Sequence, residues 1–182
     1  MFVPLVGCRS HRLNLAIEAY IKQHLGNECE MVSKLMTKLS TLKESGRLRL
    51  TTSLRPVKRN ITRWLGTVNM FDRLERLIPK LQIPSSEVAA LMPTAVHLNI
   101  IRQHKLALDD FKSITLKLQN RETTLLDSHH LFQSLISEFP NFDFEKYLGE
   151  YAKIVHSSAF ETGIIKIQNS DQNEMSVVEN GF

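Results

Sequence analysis

The sequence predicts a mainly α-helical fold, and three observations carry that expectation. Apolar residues recur at three- and four-residue intervals along nearly the whole chain. No Asn-Gly or Asp-Gly step lies between two alternating apolar runs, so no hairpin is signalled. Only Phe2–Val6 has strand character, and it is short. The 182 residues, 42% hydrophobic and 23% charged, are ordinary for a globular domain and enough to bury a core.

The elements follow in order. From Ser10, Leu13, Ala16, Ile17, Tyr20 and Ile21 share one helical face, and Gly26-Asn27 predicts a stop. A second helix is expected from Cys29 to Ser45, with Val32, Leu35, Met36, Leu39 and Leu42 inward and Gly46 as its cap. Residues 47–59 read as a basic, irregular connection containing Pro56. Asn60 or Thr62 can cap a third helix burying Trp64, Leu65, Val68, Phe71, Leu74 and Leu77, ended before Pro79. Pro84-Ser85-Ser86-Glu87 turns into a short helix, and Pro93 opens a long one to Gln119 whose stripe includes Val96, Ile100, Leu108, Phe111, Ile114 and Leu118. Thr123 or Thr124 begins the next, which runs to Phe139-Pro140. Ser158-x-x-Glu161 reads as a capping box ahead of Ile164, Ile165 and Ile167. The last dozen residues are polar and expected to be disordered.

Charge is uneven. Residues 34–80 hold twelve Lys and Arg against three acids, whereas residues 81–182 are net acidic. A concentrated basic block is what contact with phosphates requires, because each neutralised phosphate releases condensed counterions; it is also compatible with the solvated faces of ordinary helices. No apolar run reaches the roughly 18–20 residues of a membrane span. The N-terminus lacks the pattern of a signal peptide, and one pair of cysteines, Cys8 and Cys29, makes no disulfide framework. The expected setting is a reducing, intracellular one without membrane contact.

The sharpest motif is Gly7–Ile17, GCRSHRLNLAI, in which Cys8, His11, Leu13, Asn14 and Leu15 fit C-x-x-H-x-L-N-L. A second, Asn-Ile-Thr-Arg-Trp, ends at Arg63 and Trp64. Together these blocks resemble hAT-superfamily DNA transposases, and the segments 125–140 and 154–169 are similar to family stretches further along. The resemblance implies a ribonuclease H-like nuclease with two Asp and one Glu around divalent metal, magnesium or manganese, interrupted by a large helical insertion. The family's second Asp lies upstream of the Cys-x-x-His block and its Glu beyond the insertion. None of the nineteen acids here takes a family catalytic position. The family's separate DNA-binding finger and C-terminal dimerisation region are not matched either, so self-association is expected of a full-length ancestor only.

On that resemblance, residues 1–26 are expected to be a residual strand-and-helix segment of the ribonuclease H-like core, 27–168 the helical insertion domain, and 169–182 a disordered tail. The expected function is that of a transposase fragment, nuclear, non-catalytic alone and without a cofactor of its own, which binds DNA weakly and tolerantly of sequence. The alternative is a domesticated helical module that binds DNA or protein without nuclease activity. Arg55, Lys58, Arg59, Arg63 and Trp64 are the candidate DNA contacts. The resemblance associates the tryptophan with stacking on a flipped base, for which any base offers a π-face, while its neighbours Leu65 and Val68 suit a core position equally. Arg63 is either a phosphate contact or a surface charge.

Cys8, His11 and Asn14 are candidate structural residues of the motif, with Cys8 and His11 expected as a buried pair at a strand-to-helix turn or as positioning groups in the intact enzyme. Cys8-x2-His11-x12-His24-x4-Cys29 has the ligand count of a zinc finger. A continuous helix through Ser10–Leu25 would hold His11 and His24 about 20 Å apart at 1.5 Å per residue, so no metal site is expected. His97, His104, His129 and His130 read as ordinary half-buried or surface residues. No phosphate-binding glycine loop, H-E-x-x-H or G-x-S-x-G is present, which removes nucleotide-binding, metalloprotease and hydrolase readings.

Overall fold

The computed structural model describes residues 7–60, 64–81 and 84–169. It is mainly helical, with no strand among the described residues. In chain order the helices are α1 (Arg9–Leu39), α2 (Leu42–Arg49), α3 (Leu65–Leu77) with a 3-10 turn at Ile78–Lys80, α4 (Ser86–Ala89), α5 (Ala95–Leu118), α6 (Leu125–Glu138), α7 (Glu145–Leu148) and α8 (Ser158–Gln168). The expected strand at Phe2–Val6 and the polar tail from residue 170 lie outside the described residues. No helix among the described residues is long and apolar enough to cross a membrane.

The chain forms two compact units, one drawn from 1–19 and 111–182 and the other from Tyr20–Asp110. In the first, α6 packs on α8 and α7. Its buried residues include Leu13, Ala16, Phe111, Phe132, Leu135, Phe144 and Leu148. Phe144 centres an aromatic cluster, with ring centroids 4.7 Å from Phe142, 5.6 Å from Phe111 and 5.8 Å from Phe139. Edge-on pairs of this kind stabilise beyond their area alone. Gly149, after α7, sits so close that a Cβ would meet the Glu145 carbonyl oxygen at 2.6 Å, which reserves the position for glycine. Thr124 caps α6 reciprocally: its hydroxyl accepts from Asp127 N at 3.0 Å and the Asp127 carboxylate accepts from Thr124 N at 2.9 Å.

In the second unit, residues 20–39 of α1 contribute Ile21, Leu25, Val32, Leu35, Met36 and Leu39 to a core completed by Val68, Met70, Phe71, Leu74 and Leu77 of α3 and by Ile101 and Leu108 of α5. Polar bonds tie these helices together. Glu28 Oε1 lies 3.0 Å from His97 Nδ1, and Lys105 Nζ reaches Glu75 Oε2 at 2.8 Å and Asp72 Oδ1 at 2.9 Å. On α5 the buried face runs through Ile101, Ala107, Leu108, Phe111 and Thr115; Val96, expected on the stripe, is 67% exposed.

Both glycines expected to end helices lie inside them. α1 passes through Gly26, and α2 through Gly46 to Arg49. The apolar register explains the first: Leu25, Cys29, Val32, Met36 and Leu39 keep one buried face across Gly26, and this outweighs the roughly 1 kcal/mol that a helical glycine costs. The break falls instead at Ser40-Thr41. There the Ser40 hydroxyl donates to the Met36 carbonyl at 2.7 Å and the Thr41 hydroxyl to that of Lys38 at 2.9 Å, a local alternative to continuing the helix. A Cβ at Gly26 would meet nothing within 4 Å. Gly26→Ala is therefore expected to raise stability by about 0.5–1 kcal/mol, read as a higher urea midpoint with an unchanged slope. A lower midpoint would mean that the backbone at residue 26 is not helical.

Candidate nucleic-acid interface

The basic block belongs to the second unit, and its centre is the irregular stretch of residues 50–60 that follows α2. Pro56 and the absence of an apolar period keep this stretch out of a helix. Hydrogen bonds hold it to α3. Arg59 Nε donates to Thr67 Oγ1 at 2.9 Å, on a threonine with no exposed surface. The Arg73 guanidinium donates to the Arg55 carbonyl. A Cβ on Gly66 would meet backbone N of Asn60 at 2.9 Å, so the segment approaches the first turn of α3 as closely as glycine alone permits.

Arg55 and Lys58 are exposed, as are Arg47 and Arg49 at the end of α2. Arg59 is half-buried and spends a donor on Thr67. Arg63 lies outside the described residues. The acids of the block are engaged: Glu44, 5% exposed, pairs with Arg47 at 3.4 Å, and Asp72 and Glu75 hold Lys105. Those carboxylates raise the Lys105 pKa, keeping it cationic. The arrangement can offer exposed cationic side chains from a pinned backbone, which suits contact with phosphates and supplies no base-reading geometry.

Trp64 stands at the start of α3 and is 4% exposed. Its ring is part of the core, so a base could reach a face of it only after the side chain had left that position. Cys29, on α1, is 1% exposed, and burial pushes its thiol up to about 11, with Arg59 pulling the other way. A thiol so placed is unreactive.

The Cys-x-x-His block forms the start of α1, in the first unit. The Cys8 carbonyl accepts the opening helical bonds, from His11 N at 3.0 Å and Arg12 N at 3.1 Å. The expectation of a buried Cys8–His11 pair is corrected: both side chains are exposed. At 100° per residue His11 falls opposite the face shared by Arg12, Leu13, Ala16 and Ile17, all of which are buried. Asn14 is half-buried and donates to Glu18 Oε1 at 2.8 Å along the outer side of the helix. Among the described residues, no three His, Cys, Asp or Glu side chains stand together as a metal-binding group.

The residue with most to say in that block is Arg12, which the motif treats as variable. Its side chain is 1% exposed. Nη1 donates to Glu161 Oε2 at 3.0 Å, and Nη2 to the carbonyls of Leu148 at 2.7 Å and Gly149 at 2.8 Å. Arg9 Nη2 shares the same carboxylate oxygen at 3.0 Å. Both guanidiniums lie over the Phe132 ring, 5.5 and 5.4 Å from its centroid. Glu161 is therefore not the reciprocal member of a capping box: Ser157 takes the cap position of α8 and makes no side-chain cap bond. Two cations in the first turn of a helix oppose its dipole, and Glu161 offsets that. Burial lowers the Arg9 pKa to about 10, with Glu161 raising it and Arg12 lowering it further.

The second unit also holds a histidine cluster. Tyr20 Oη lies 2.8 Å from His104 Nδ1, and the His24 and His104 rings are 5.2 Å apart. Burial and then His24 lower the His104 pKa, while Glu28 raises it. The unfolded chain thus takes up a proton more readily than the folded one. Stability is full above the ordinary histidine pKa of about 6.5 and is lost as pH falls through the lower folded value. His129 of the first unit, lowered by burial and by Arg9, acts in the same direction. The urea midpoint is expected to fall between pH 7.5 and 5, and His104→Gln to flatten that fall. An unchanged pH profile in the variant would remove His104 from the account.

Comparison with protein-family models, with curated proteins and with solved structures finds no match.

Proposed function

We propose that this chain is a helical, DNA-contacting piece of a hAT-type transposase, non-catalytic by itself, with residues 1–26 as the remnant of a ribonuclease H-like core edge. The observation that carries the DNA reading is the exposed pair Arg55 and Lys58 on a segment pinned to α3, with the exposed Arg47 and Arg49 at the end of α2 and the nearby acids already engaged. The two motif blocks support the family, and the helical architecture is what its insertion domain calls for. The exposed Cys8 and His11 leave the polar side of the motif available to a further surface, as a part of a larger enzyme would need. In this reading the protein works in the nucleus, and binding is electrostatic, weak and tolerant of sequence.

The test is fluorescence anisotropy on unphosphorylated duplexes of unrelated sequence across a salt series. Affinity is expected to fall linearly on a log–log plot, and Arg55→Glu with Lys58→Glu to flatten the slope by about two, one per lost phosphate contact. With magnesium or manganese the same protein is expected neither to nick nor to join DNA. Binding that ignores salt, or none at all, would leave the domesticated protein-binding module as the better reading, and metal-dependent cleavage would overturn the non-catalytic one.

A further inference from the structure

The first unit contains a cavity of about 300 Å³ whose wall includes Arg9, Arg12, Glu161, Glu150 and Lys166. A single water needs only roughly 10–15 Å³ of such space, so there is room for a solute. Three cations face two carboxylates, and Glu150 is already bonded to the Thr162 hydroxyl at 2.6 Å. The site is built rather than incidental: the Arg12 and Glu161 side chains are 1% and 6% exposed and fixed on each other. Yet three of its polar atoms are buried without a hydrogen-bond partner, Nε of Arg9, Nε of Arg12 and Oε1 of Glu161. Buried polar groups are nearly always satisfied, so two donors and one acceptor left open within side chains that line a cavity describe a ligand by its complement. That ligand accepts twice and donates once.

We propose that this cavity binds a phosphate monoester, with the Nε–H groups of Arg9 and Arg12 donating to phosphate oxygens and a protonated phosphate oxygen donating to Glu161 Oε1. A monoester loses its second proton near pH 6, so a protonated oxygen is accessible around neutrality, and the Glu161 carboxylate favours keeping it. A hydrogen bond from a cationic guanidinium to a phosphate oxygen is stronger than one between neutral groups. Sulfate and carboxylate ligands are acceptors only at this pH and would set an anion against Oε1. The inference does not rest on the DNA reading, whose cations belong to the other unit.

The experiment is calorimetric titration at pH 7 and constant ionic strength with inorganic phosphate, with sulfate, and with a short oligonucleotide with and without a 5′-phosphate. Saturable binding of phosphate, at least about tenfold tighter than sulfate, is expected. Arg9→Gln, at the more accessible guanidinium, should weaken it by about tenfold or more while leaving salt-dependent binding of unphosphorylated DNA unchanged, and Lys166→Gln should weaken it less. Tighter binding of the 5′-phosphorylated oligonucleotide than of either inorganic phosphate or its unphosphorylated control would assign the monoester to a nucleic-acid end; tighter binding of inorganic phosphate would assign it to a small molecule. No saturable phosphate binding, equal affinity for sulfate, or full phosphate binding by Arg9→Gln overturns the proposal.

Discussion

Glu161→Leu is expected to destabilise the protein by about 3–5 kcal/mol, the usual consequence of stranding buried charge. The substitution leaves two guanidiniums side by side in the first turn of α1, one of them 1% exposed, with no carboxylate between them. Arg12 would retain the carbonyls of Leu148 and Gly149, but those neutral acceptors do not offset a second cation nearby. Chemical denaturation monitored by far-UV circular dichroism measures the effect directly. A double substitution, Glu161→Leu with Arg12→Met, should recover part of the loss, because it removes the buried cation along with its partner. A loss below about 1 kcal/mol in the single variant would show that the cluster does not tie α1 to α8.

Trp64→Ala is the other large expected effect, at about 3–5 kcal/mol of folding stability. The ring is 4% exposed at the start of α3, so truncation opens a void in the core. Trp64→Phe keeps most of the apolar volume and should cost much less. The pair of variants also decides the stacking question. If Trp64→Ala keeps the parent's denaturation midpoint and instead loses about 1–3 kcal/mol of affinity for single-stranded DNA, the side chain serves bases rather than the core.

Much of the helical layout was legible because it follows from side-chain period. Val68, Phe71 and Leu74 announce α3, Pro79 its end, and Thr124 the start of α6. The departures have specific causes. Gly26 and Gly46 looked like stops because glycine is a poor helix former, but propensity is a weak term beside a register that keeps Leu25 and Cys29 buried on either side. Ser158-x-x-Glu161 looked like a capping box because local spacing cannot reveal a partner 149 positions away. A signal for that partner was present: Arg12 falls on the same helical face as Leu13, Ala16 and Ile17, and a charge on an apolar stripe demands a counter-charge. The motif drew attention to Cys8 and His11, both exposed, and the same angular argument places His11 on the outer side of α1. The basic segment was visible as composition, but the bonds from Arg59 to Thr67 and from Arg73 to the Arg55 carbonyl depend on a close approach at Gly66 that composition does not encode.

The nesting of one unit within the ends of the other sets an order of events during synthesis. Residues 20–110 form a unit from consecutive chain and can begin to pack as soon as α5 emerges, whereas the unit containing Arg9 and Arg12 is incomplete until Glu161 has been made. Until then the opening of α1 has its cations but not their carboxylate, and closing a contact across 149 positions is slow compared with forming helices. The opening turn of α1 is thus made well before its partner on α8 and is among the last parts of its unit to be fixed in place. A ribosome stalled before α8 would display that turn with Arg9 and Arg12 lacking their carboxylate, open to capture by acidic surfaces and to proteases until elongation resumes.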